Sequence, residues 1–89
     1  MWEVHEAYAS VAVAIPRELP KQLDGFRVPD EKLNPNGGGV AIGHPFGSSG
    51  TRYVLTLATE LRERRARYGA LGVCVGSGQG VAPVLENAA

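Results

Sequence analysis

An internal disulfide is beyond this chain: Cys74 is its only cysteine. With no internal covalent framework, the fold must rest on packing, and a reducing cytoplasm is the expected setting. An excess of charge is missing as well. Nine Lys and Arg residues cancel nine Asp and Glu, so no global field draws nucleic acid or anionic lipid, and neither is expected as a partner. No long apolar run is present. The longest, Val11 to Ile15, falls far short of the roughly 20 residues that cross a bilayer. Behind Met1 no basic segment precedes an apolar one, so no secretory signal is expected. Aromatics are sparse at 7%, yet 44% of the 89 residues are hydrophobic and 20% charged. That is the composition of one small globular domain with enough apolar side chains for a core.

The elements follow from pattern and breakers. Trp2 to His5 reads as the end of a strand, because aromatic and branched residues run there without interruption. Glu6 to Ile15 reads as an alanine- and valine-rich helix stopped by Pro16. Residues 16–35 are broken by Pro16, Pro20, Gly25, Pro29 and Pro35, with room for one helical turn around Arg17 to Leu23. Val40-Ala41-Ile42 reads as a short strand between glycines. A long helix is expected from about Pro45–Ser49 to Arg67, with Val54, Leu57, Ala58 and Leu61 as its buried stripe and Ser48 or Ser49 as its cap. Leu71 to Val75 and Val81 to Leu85 are apolar strands joined by a glycine-rich link over residues 76–80, which favours an antiparallel pair. The expected class is α/β with the order β–α–β–α–β–β. Two helices are few for both faces of a layered sheet, and nothing leads into the first strand, so the chain is expected to be the tail of a larger domain.

Twelve glycines are many for this length, and they gather at residues 37–50 and 76–80, beside His44 and Cys74. Glycine lets backbone approach a ligand closely, and the Gly43-His44-Pro45-Phe46-Gly47-Ser48-Ser49-Gly50 turn sets an imidazole in such a frame. Packing alone does not require that frame, so His44 reads as chemistry. His5 and Cys74 both sit at strand ends, where ligands gather in α/β sheets. A thiol near an imidazole supports nucleophilic or acid–base work on carbonyl compounds, and amides at Gly76 and Gly78 can hold an oxyanion. Plainer readings stand beside these. A lone cysteine in an apolar strand is commonly a small core residue, and a histidine at a strand end can be a satisfied buried group. Arg62, Arg64, Arg65 and Arg67 read as a solvated helix end rather than a coenzyme phosphate site. The spacing of Gly76, Gly78 and Gly80 is not that of a dinucleotide fingerprint, and residues 43–51 lack the lysine of a phosphate loop. A zinc site has no support from spacing.

Three blocks carry a family resemblance: His5-Glu6-Ala7-Tyr8-Ala9, then Asn34-Pro35-Asn36-Gly37-Gly38-Gly39 through Gly50, then Cys74-Val75-Gly76-Ser77-Gly78-Gln79-Gly80. In order and separation they resemble successive blocks of the C-terminal domain of thiolases. The resemblance covers nearly the whole chain and is weakest across residues 16–33. It implies a thiolase-like layered fold, with residues 1–89 as a C-terminal domain truncated at its N-terminus and lacking the N-terminal thiolase domain. It also implies acyl transfer that makes or cleaves 3-ketoacyl-CoA through an acyl-cysteine, with coenzyme A as substrate or product and no bound cofactor or metal. By motif, His44 activates the acyl-accepting cysteine and polarises a thioester carbonyl. Cys74 is the acid–base cysteine, which shuttles the protons of the substrate α-carbon and of the CoA thiol. The Gly76 amide helps hold an oxyanion. His5 stands where many thiolases have asparagine acting through a water and another branch has histidine, so its imidazole is expected to face an oxyanion directly. Tyr8 replaces a commoner phenylalanine, and Ser77 a frequent glycine.

The acyl-accepting cysteine of the family lies in its N-terminal half, and nothing in this chain replaces it. The chain alone is therefore expected to be inactive, to need that half as a partner, and to form part of a homo-oligomer in the full enzyme. The alternatives are an inactive remnant serving as an acyl-CoA or protein interaction module, and a small Cys–His hydrolase using Cys74 and His44.

Overall fold

The structure, a computed structural model, describes residues 1–88. Strand β1 (Trp2–Val4) leads into helix α1 (Ala9–Gln22), a single 3-10 turn at Asp30–Lys32, and the short helix α2 (Gly38–Ile42). Helix α3 (Ser49–Glu63) follows, then strands β2 (Tyr68–Gly76), β3 (Gln79–Val81) and β4 (Val84–Glu86). The class is α/β, as expected. β2 is the centre of the four-stranded sheet. It pairs in parallel with β1 on one edge, with Trp2 opposite Ala70 and Val4 opposite Gly72. On its other edge it pairs antiparallel with β3 and then β4.

The closing antiparallel arrangement holds, but the single strand expected at 81–85 divides. Pro83 has no N–H to give, so the ladder breaks there. Its carbonyl still accepts the Leu71 N–H at 3.0 Å. The link between β2 and β3 is tighter than expected: Gly76 pairs with Gln79, and Ser77 (φ 51°) and Gly78 (φ 74°) form a two-residue turn. Positive φ at both central positions matches the right-handed twist of a hairpin, which is what Gly78 makes easy. β2 carries one extra residue between Cys74 and Gly76, a bulge that turns the strand end.

The core lies between β2 and α3. Tyr53, Leu57 and Leu61 of α3 are fully buried, and Leu71 and Met1 join them in one cluster. Burial of each such side chain contributes about 2 kcal/mol. The stripe expected from Val54, Leu57, Ala58 and Leu61 is thus rotated, with Tyr53 inward and Val54 outward. Gly69 makes this seating possible, since a Cβ there would stand 2.8 Å from Leu57 Cδ1. The other sheet face looks toward α1 across a cleft lined by Val11 and Ile15.

Three further expectations are corrected. The first helix begins at Ala9 and runs through Pro16 and Pro20 to Gln22. Each proline removes one helical donor, while the rest of the ladder persists to Leu23 N–H on Leu19 O at 2.9 Å. Val40-Ala41-Ile42 is helix, not strand. The sheet edge it would need is taken: Leu33 bridges Trp2, and Asn34 accepts the Val4 N–H at 2.7 Å while donating to the Val4 carbonyl at 2.9 Å. The Asn34 side-chain amide completes the β1 ladder as a peptide would. The long helix stops at Glu63, short of Arg67, because Arg65 enters the left-handed region at φ 52° and turns the chain into β2.

Candidate functional site

His5 is set by the sheet. Its N–H donates to the Gly72 carbonyl at 2.8 Å, one step beyond the β1–β2 pairs, so the backbone at the strand end is fixed. The side chain is 5% exposed, and Nδ1 stands 2.7 Å from the Tyr53 hydroxyl. Gly39 of α2 covers this pair. A Cβ at Gly39 would overlap the Tyr53 hydroxyl and lie 3.1 Å from His5 Nδ1. A Cβ at Gly38 would overlap the Glu6 carboxylate, which accepts a 3.2 Å bond from Asn34 Nδ2. The glycines of residues 38–39 are therefore spacers that let α2 sit on the imidazole and its neighbours.

His44 leaves α2 through Gly43, whose φ of 86° ends that helix. Arg52 ties the turn to α3 by donating to the Ile42 carbonyl at 2.6 Å. Neither Ser48 nor Ser49 caps α3 with its side chain. Ser49 instead turns back on the turn itself: its Oγ stands 2.6 Å from His44 Nδ1 and donates to the Pro45 carbonyl at 3.0 Å. If the hydroxyl hydrogen went to His44 instead, two oxygens would face each other with no hydrogen between them. The network therefore assigns the His44 proton to Nδ1 and leaves Nε2 with a free lone pair.

The two imidazoles meet, with ring centroids 4.2 Å apart and planes tilted by 42°. Phe46 packs edge-on against His44 at 5.0 Å. Burial lowers the pKa of His5, and the nearby His44 lowers it further, against a smaller opposing pull from Glu6. Burial likewise raises that of Tyr53, with Glu3 and Glu6 adding to it and Arg52 opposing. A neutral imidazole beside a neutral phenol is the state this setting favours.

Cys74 lies at the bulge of β2, opposite Gly80, and is exposed rather than packed in hydrocarbon. It shares with His5 a cleft of about 300 Å³, whose walls include Val11, Ile15, Gly78 and Gly80. Gly76 follows the bulge with φ 91°, at the hairpin rim. The structure thus joins His5 to His44 by ring contact and His5 to Cys74 by a common cleft. His5 is the link between the two. A larger apolar cleft of about 490 Å³ lies on the α3 side, along Val54, Leu71 and Val75. It holds none of these groups.

Sequence reasoning passed over Tyr53 and gave Ser49 a different task. Both carried a signal. Ser49, Tyr53, Leu57 and Leu61 recur every four residues, so a stripe begun at Ser49 leads to the pair that holds the imidazoles. Among the described residues no cluster of three or more His, Cys, Asp or Glu could hold a metal. No described helix is long and apolar enough to cross a membrane.

Residues 1–87 match the family described as thiolase, C-terminal domain. The chain belongs to the thiolase family. The human peroxisomal 3-ketoacyl-CoA thiolase is 45% identical over 87 residues, which are 97% of this chain and 19% of that protein. The 3-ketoacyl-CoA thiolase of Bacillus subtilis is 40% identical over 86 residues, 97% of this chain and 20% of its own length. Among solved structures, human mitochondrial 3-ketoacyl-CoA thiolase superposes with a TM-score of 0.82 at 38% identity, covering 100% of this chain and 21% of that one. The acetyl-CoA acetyltransferase of Bacillus anthracis gives 0.79 at 40% identity, covering 97% and 20%. This thiolase chain therefore spans about a fifth of the length of the relatives it matches.

Proposed function

We propose that this chain is the C-terminal part of a thiolase, supplying the histidine and the acid–base cysteine of an acyltransferase that makes or cleaves 3-ketoacyl-CoA. The observation that carries the reading is His5, in ring contact with His44 and lining one cleft with the exposed Cys74. In the cleavage direction, a cysteine thiol from the N-terminal half gives its proton to the His44 Nε2 lone pair, and the resulting thiolate attacks the 3-keto carbon. The C2–C3 bond breaks, the electron pair stays on C2, and the Cys74 S–H protonates it. The Cys74 thiolate then takes the proton of CoA, whose sulfur attacks the acyl-cysteine and expels the enzyme thiolate, which recovers its proton from His44. His5, His44 and the Gly76 amide face the oxyanions, where positioned donors lower the barrier most.

Coenzyme A enters here as substrate and product. The partners are an acyl-CoA thioester and the N-terminal thiolase half, within a homo-oligomeric full enzyme. The single cysteine leaves no acyl acceptor in this chain, so residues 1–89 alone are inactive. That same observation favours the second reading, an inactive remnant that binds acyl-CoA or another protein. Mixing the chain with a matching N-terminal half and assaying thiolysis of a 3-ketoacyl-CoA separates the two. Activity in the mixture alone supports the first reading, silence in the mixture supports the second, and activity without the added half overturns both.

A further inference from the structure

The Tyr53 hydroxyl is sunk in the core: the residue is 1% exposed, and His5 Nδ1 at 2.7 Å is its hydrogen-bond partner. Two placements of hydrogen fit that distance. In one, His5 Nδ1–H donates to the phenolic oxygen, and the phenol's own hydrogen is left buried without an acceptor. In the other, the phenol O–H donates to a bare Nδ1, and no hydrogen is stranded. A buried unpaired donor is costly and the second placement satisfies both atoms, so the second holds. A neutral imidazole with a bare Nδ1 carries its proton on Nε2. His5 Nε2 is not sealed away, because the buried side-chain atoms without a partner among the described residues are the two Glu3 oxygens.

We infer that Tyr53 is a positioning residue, whose hydroxyl fixes His5 as a neutral imidazole with its proton on Nε2, so that His5 meets the Cys74 cleft as a hydrogen-bond donor. The two touching rings then hold opposite tautomers. Ser49 gives His44 a bare Nε2, a base, while Tyr53 gives His5 an Nε2–H, a donor. Before the first proton transfer, the base and the oxyanion donor are thereby assigned to different histidines by the hydroxyl that each one meets, and His44 becomes a donor only once protonated. The charged and titratable groups facing the pair are His44 and Glu6 around His5, and Glu3, Glu6 and Arg52 around Tyr53. Burial is the largest influence on both residues and keeps both neutral.

The tautomer is a property of this chain, and only its catalytic meaning rests on the thiolase reading. Nitrogen-15 NMR of the histidine side chains, at neutral pH on the 89-residue chain, reads it directly. The expected result is a pyrrole-type Nε2 and a pyridine-type, hydrogen-bonded Nδ1 for His5. A protonated Nδ1 in the wild type overturns the inference without any variant. In Tyr53→Phe, the Nδ1 resonance is expected to move to that of an unbonded nitrogen, and an unmoved resonance overturns the inference. Should Tyr53→Phe fail to fold, the wild-type spectrum still decides.

With the N-terminal half added, Tyr53→Phe is expected to lower kcat roughly tenfold or more, as for a misdirected oxyanion donor, and to change KM much less. An unchanged kcat removes the positioning role. If the spectra are as expected and the mixture with wild type shows no thiolysis, the thiolase reading fails and the tautomer assignment stands.

Discussion

Ser49 Oγ accepts the His44 Nδ1 hydrogen at 2.6 Å and passes its own hydrogen to Pro45 O at 3.0 Å. Both residues belong to one glycine-framed turn, so the base and its orienting group are built from adjacent sequence. Ser49→Ala removes the orienting oxygen and leaves the ring free to turn. In the enzyme reconstituted with its N-terminal half, kcat is expected to fall about tenfold to a hundredfold, with KM little altered. Ser49→Thr keeps the hydroxyl and is expected to recover most of that loss. Equal rates for Ser49→Ala and wild type would remove the orienting role.

Glu3 has both carboxylate oxygens buried without a partner among the described residues, and its pKa is raised from 4.5 to about 7 by burial first, then by Glu60 and Glu6. The folded chain therefore holds this proton at pH values where the unfolded chain has lost it. Stability from this group is complete below about pH 4.5 and is lost as pH rises through about 7. Allowing for solvent screening, the loss amounts to about 1–3 kcal/mol. Urea unfolding of wild type and Glu3→Gln at pH 5, 7 and 8.5 checks this. The amide cannot ionise, so the variant is expected to gain on wild type as pH rises. A constant difference between the two across that range refutes it.

Gly39→Ala pushes a methyl onto the Tyr53 hydroxyl and the His5 ring. Relief requires α2 to lift, at a cost of about 1–3 kcal/mol, and the imidazole signals should shift with it. Gly47→Ala is the control, since a Cβ there meets nothing within 4 Å. Thermal unfolding is expected to separate the two substitutions. Similar melting temperatures would mean that Gly39 is not a spacer.

Cys74 is exposed in the folded chain. Alkylation by iodoacetamide, followed by intact mass, is expected to add one group under native conditions at a rate within about tenfold of a free thiol. Protection that persists until denaturant unfolds the chain would place the sulfur in the core instead.

The sequence marked the α/β class, the closing antiparallel strands and the glycine frame, because each rests on local chemistry. Pro83 and Gly78 shape the hairpin from within a few residues. What it concealed depends on partners distant along the chain. Val40–Ile42 has strand composition, and its helical state follows from Asn34 already holding the edge of β1. Pro16 is a breaker by propensity, yet α1 continues past it. Tyr53 has the spacing of a core residue, and only the fold brings its hydroxyl to His5, 48 positions away. The site shows the same division. His44 and Ser49 are neighbours legible in one turn, whereas the ring contact between His5 and His44 is a product of tertiary packing.

The Asn34 amide has a directional consequence for the sheet. By occupying both the N–H and the carbonyl of Val4, it acts as a terminator on that flank, and Leu33 does the same beside Trp2. Any additional strand can extend the array only past β3 and β4, so growth is polar: one margin is closed by a side chain, the other left to main-chain pairing.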